Sequence, residues 1–122
     1  MLLRLIVLGF LVTGIVPVNA QPSSPPPLRC ESGPANRTFG GTNWLVYSCD
    51  DRASMVVVAA QGNPASPFYF FLTPDGGTYR IRGEGTGDKK ASDAAFDALS
   101  KMTPADFGAL LAATNPQSSP GR

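Results

Sequence analysis

The sequence predicts an α+β fold: a four-stranded antiparallel β-meander followed by two short C-terminal helices, held by one disulfide. Three observations predict it. Between residues 43 and 84, four short segments rich in β-branched and aromatic residues are separated by turn formers. Beyond residue 88 the apolar spacing changes from strand-like to helix-like. The chain holds an even pair of cysteines, Cys30 and Cys49. At 122 residues and 43% hydrophobic, it has room for one domain.

The elements follow in order. Residues 1–20 have the pattern of a secretory signal peptide: Arg4, an apolar run from Leu5 to Val16, Pro17, then Val18-Asn19-Ala20 as a cleavage site after Ala20. The run is shorter than the roughly 20 residues that span a bilayer, so no membrane span is expected after cleavage. Residues 21–27 (QPSSPPP) are expected to be a solvated linker, 28–114 the domain, and 115–122 (NPQSSPGR) a disordered tail. Loss of residues 1–20 removes Arg4 and leaves no net charge. The product is expected in the periplasm or outside the cell. There the cysteines form a Cys30–Cys49 disulfide, contributing about 3 kcal/mol on the chain-entropy model.

Residues 28–42 contain Gly33-Pro34 and Gly40-Gly41 and are expected to be irregular and pinned by that disulfide. Asn36-Arg37-Thr38 fits a glycosylation acceptor, with meaning only in a host that glycosylates Asn. Residues 43–49 (NWLVYSC) form the first predicted strand, with Trp44, Val46 and Ser48 on one side and Leu45, Tyr47 and Cys49 on the other. Residues 53–60 (ASMVVVAA) and 67–72 (PFYFFL) are apolar on both faces. Residues 73–77 (TPDGG) signal a hairpin. In residues 78–84 (TYRIRGE), Tyr79 and Ile81 point inward while Arg80, Arg82 and Glu84 point outward, as in an edge strand.

The first helix is capped by Asp88 or Ser92 and runs to about Met102, with Ala95, Phe96, Leu99 and Met102 as its apolar stripe. The second opens at Thr103 with Pro104 at its first position, presents Phe107, Leu110 and Leu111, and stops at Asn115-Pro116. Two helices cover one face of the sheet. The other face needs cover from residues 28–42, from a partner or from a second copy.

The chemistry is bounded by what the chain lacks. It has no histidine, which excludes imidazole bases and ligands, and its charge balance excludes a general nucleic-acid binder. Asp50 and Asp51, with Asp75 or Asp88, do not form a calcium loop, and neither metal nor cofactor is expected. Gly83-Glu84-Gly85-Thr86-Gly87, followed by Lys89-Lys90, offers amides that could cradle an anion, but lacks the spacing of known phosphate loops. A Ser–Lys dyad would need Ser92 or Ser100 beside a neutral lysine. Glu84 is the best-placed acid, and no second carboxylate is set beside it by spacing. Tyr79, Arg80, Arg82 and Glu84 are the candidate binding residues, since Tyr and Arg concentrate at binding hot spots and Arg pairs bidentately with carboxylates.

The Tyr47-Ser48-Cys49-Asp50 stretch, with the small β-rich exported domain and its single disulfide, is loosely similar to periplasmic inhibitors of c-type lysozyme. The Ser-Gly loop those inhibitors turn toward the enzyme has no visible counterpart here, and the C-terminal helices depart from the pattern. Small size, the absence of histidine, the expected disulfide and the lack of a convergent catalytic set make the expected function a non-enzymatic exported binding module for a protein or envelope component. A small hydrolase or anion-binding enzyme built on Glu84 and the Gly83–Gly87 loop is the alternative, and a structural homodimer a third.

Overall fold

The computed structural model describes residues 26–115, together with Gly9 and residues 13–15. The remaining parts of the expected signal segment, residues 21–25 of the linker and residues 116–122 of the tail lie outside the described residues.

Five strands, not four, form one antiparallel sheet in the order β1-β2-β3-β4-β5. They are β1 (Ser32–Phe39), β2 (Thr42–Ser48), β3 (Met55–Ala59), β4 (Phe68–Asp75) and β5 (Thr78–Gly85). Two helices follow, α1 (Lys89–Ser100) and α2 (Pro104–Thr114). The fold class holds and the strand count does not. The extra strand comes from the segment expected to be irregular. Its turn residues mislead because Gly40 and Gly41, both at positive φ, make a tight hairpin that returns β1 along β2. Pro34 sits where the register shifts between Ser32 and Ala35, so it interrupts the ladder only locally. The hairpin forecast at 73–77 also shrinks: Thr73, Pro74 and Asp75 pair within the sheet, and Gly76-Gly77 alone make the turn.

Both helix starts are capped. Asp88 accepts from the Lys90 amide at 2.9 Å. Thr103 accepts from the Asp106 amide at 3.1 Å while Asp106 accepts from the Thr103 amide at 2.9 Å, a reciprocal capping box with Pro104 behind it. The helices pack on a single face of the sheet. Trp44, Val46, Met55, Val57, Phe70 and Leu72 meet Ala95, Leu99, Phe107 and Leu110 there. Trp44 lies 5.2 Å from the Phe70 ring centre and donates its indole N–H to Thr42. Phe96, expected in the apolar stripe of α1, stays 45% exposed at the β5 side.

Cys30 and Cys49 form the expected disulfide. It fixes the entry of β1 to the exit of β2, where the Asp50 amide also donates to the Arg29 carbonyl at 2.7 Å.

Candidate functional site

Because residues 28–42 add a strand at the edge, they do not cover the second face of the sheet. Among the described residues no element does. Strand alternation sends Leu45 and Tyr47 of β2, Val56 and Val58 of β3, and Tyr69 and Phe71 of β4 to this face. Register aligns them in two rows. Asn36, Leu45, Val58, Tyr69 and Glu84 stand opposite one another across all five strands, and Tyr47, Val56, Phe71 and Arg82 form the parallel row. At about 4.8 Å between strands, the longer row spans about 19 Å. Trp44, Val46 and Val57, which point to the helices, are fully buried, whereas Tyr69 is 40% exposed and its aliphatic neighbours are half-buried. The inward face is closed by helices; the outward face is an apolar platform that no other described element covers.

Charge borders the platform along β5. Tyr69 donates its hydroxyl to Glu84 Oε2 at 2.9 Å. The same hydrogen bond, and then the Glu84 charge, push the Tyr69 phenol above its usual range. Arg80 lies 3.4 Å from Asp75 in an exposed ion pair. Two shallow grooves mark the surface here. One, about 650 Å³, runs past Val56, Val58, Pro67, Tyr69 and Glu84. The other, about 260 Å³, lies between Tyr69, Phe71, Arg82 and Glu84.

The expected site residues therefore divide. Arg80, Arg82 and Glu84 share the open face. Tyr79 is on the other face, where its ring packs 4.7 Å from Phe107 and its hydroxyl donates to the Ala53 carbonyl at 2.6 Å. The residues the site analysis lacked are Leu45, Tyr47, Val56, Val58, Tyr69 and Phe71. Their signal is present in the sequence as strands apolar on both faces, which call for cover from residues 28–42, a partner or a second copy without singling out these side chains as a site.

The glycine segment is also placed differently from expectation. Gly83 and Gly85 belong to β5, pairing with Phe70 and Phe68, so only residues 86–88 connect strand to helix. A Cβ on Gly85 would fall 2.2 Å from the Pro67 carbonyl oxygen, so close backbone approach demands glycine there. The Thr86 and Asp88 amides donate to the Pro67 and Pro64 carbonyls. The Asp88 carboxylate already stands at the positive end of α1. The Ser92 and Ser100 hydroxyls donate back to helix carbonyls of Lys89 and Phe96. Asp51 closes its own turn, accepting from the amides of Ala53 and Ser54 and from the Ser54 hydroxyl. No cluster of three metal-ligating side chains occurs among the described residues. In the same residues no helix is long and apolar enough to cross a membrane.

What these features define is a small α+β domain with a one-sided sheet and an exposed aromatic–aliphatic face. Comparison with protein-family models, curated proteins and solved structures finds no match.

Proposed function

We propose that this chain is an exported, non-enzymatic binding module that presents the open face of its sheet to a macromolecular partner. The observation that carries the proposal is the uncovered platform of Leu45, Tyr47, Val56, Val58, Tyr69 and Phe71. Contiguous exposed apolar surface of this kind marks interaction sites in soluble domains. Tyr69 and Phe71 are its anchors: large, stiff side chains that bury much area at small entropic cost. The guanidinium groups of Arg80 and Arg82 favour a partner whose border is acidic where its centre is apolar. The Cys30–Cys49 disulfide fits an oxidising compartment, and with it export.

The test is Phe71→Glu, which places a charge at the centre of the platform and leaves the helix-facing core untouched. The oxidised protein, purified from an exporting host, is immobilised and exposed to envelope extract beside this variant. A partner retained by the wild-type chain and lost by the variant, with unchanged thermal unfolding of the variant, is the expected result. A partner retained equally by both would show that the face is not the binding surface.

A further inference from the structure

We propose that β5 is a second interface, at which two copies of this chain pair edge to edge, antiparallel, about a dyad at Gly83. The inference goes beyond the binding role of the open face and stands on different observations.

The two edges of the sheet are built differently. Exposed edge strands invite pairing, and proteins blunt them with proline, bulges, charge or covering elements. At β1 the edge is blunted: it holds Pro34 and a register shift between Ser32 and Ala35. Unlike β1, β5 pairs with β4 without interruption over its eight residues and contains neither proline nor lysine. What it carries is charge of both signs, and charge on an edge selects a partner as well as rejecting one.

Backbone direction and charge agree on one register. Asp75 and Thr78 flank the two-residue Gly76-Gly77 turn, a hydrogen-bonded position in such hairpins. Alternation from there sends the N–H and C=O groups of Thr78, Arg80, Arg82 and Glu84 to β4, and those of Tyr79, Ile81, Gly83 and Gly85 to the open edge. The Thr86 amide, bonded to Pro67, keeps the same phase. Antiparallel pairing of two β5 strands must therefore place odd residues opposite odd residues. Centred on Gly83, it sets Ile81 opposite the second copy's Gly85, and Arg82 opposite its Glu84, twice by symmetry. The Arg82–Glu84 positions are the non-hydrogen-bonded ones, where facing side chains come closest. A register two residues shorter in sum puts Arg82 against Arg82, and one two residues longer puts Glu84 against Glu84. Only the Gly83-centred register faces both arginine–glutamate pairs and no like charges.

The helix side of the seam fits as well. Gly83 and Gly85 leave a cleft of about 370 Å³ lined by Phe68 and Phe70 and by Lys89, Ser92, Asp93 and Phe96 of α1. At 45% exposure, Phe96 is one of the few exposed large apolar side chains among the described residues. A second copy brings its own Phe96 to the same seam, and the two rings close the cleft about the dyad. Opposed residues in antiparallel pairs share a face. The two open platforms therefore merge into one continuous surface, with Arg82 neutralised at its centre and Arg80 left at its sides.

Sedimentation of the oxidised protein at micromolar concentrations tests the proposal. A dimer is expected. Arg82→Glu and Glu84→Arg each set like charges across the seam and should weaken it roughly tenfold or more. The double variant restores the pairing and should recover the wild-type dimer. Circular dichroism of Trp44 in the near ultraviolet confirms that each variant is folded. A monomer at every concentration overturns the proposal. So does a dimer indifferent to the single changes, or one that the double change fails to rescue. Val56→Glu, on the same open face but two strands from β5, should leave the dimer intact while removing partner capture, so failure of the edge pairing and failure of the open-face reading are separately visible.

Discussion

At the scale of single residues, polar side chains here mostly complete the backbone. Asp51 is the clearest case. Burial is the largest single influence on its carboxyl and acts upward, but hydrogen bonds from the Ser54 hydroxyl and the Ser54 and Ala53 amides together outweigh it and hold the group below its usual range. A depressed carboxyl stabilises the fold above its unfolded pKa and loses that contribution as pH falls through the folded value. Asp51→Asn should therefore lower stability near neutrality by less than about 1 kcal/mol, because solvent screens so exposed a group. Urea unfolding should show the difference from wild type vanishing in acid; a difference constant with pH would sink the account. Tyr79 runs the other way. Burial, and then the Asp51 charge, push its phenol upward, so the stability tied to it is present below the ordinary tyrosine range and lost as pH rises through the raised value. Its hydroxyl bond to Ala53 makes it a structural residue, and this explains why it does not join Arg80, Arg82 and Glu84.

At the scale of elements, spacing was legible and punctuation was ambiguous. The capping signals at Asp88 and Thr103 lie where the helices begin, since a cap is a local hydrogen bond between residues two or three apart. The alternation of Tyr79 and Ile81 against Arg80, Arg82 and Glu84 is observed for the same reason: it is intrinsic to the strand. Glycine and proline carried less information. Gly40-Gly41 turn a hairpin, whereas Gly83 and Gly85 lie inside a strand, and the same residue type serves both because it answers to whatever backbone comes near. Gly85→Ala tests this. With φ at +154° and the Pro67 carbonyl in the way, the substitution should cost roughly 1–3 kcal/mol, read as a lower midpoint in thermal unfolding. Unchanged stability would mean that β4 and β5 are not so closely apposed.

At the scale of the whole molecule, the disulfide and the one-sided sheet set the properties. Cys30–Cys49 ties the chain entering β1 to the end of β2, and its reduction should lower stability by about 3 kcal/mol. Unfolding with and without a phosphine reductant measures this; coincident curves would show the bridge to be dispensable. The sequence by itself determined the helices, the four inner and C-terminal strands, the disulfide partners and the excess of apolar side chains over what two helices cover. Each of these depends on local spacing or on simple counting. Only the tertiary structure decided that residues 32–39 extend the sheet sideways, and hence that they leave its second face uncovered among the described residues. That outcome depends on register between segments and on which edge the returning chain meets, and non-local pairing of this kind leaves no period in the residues that make it.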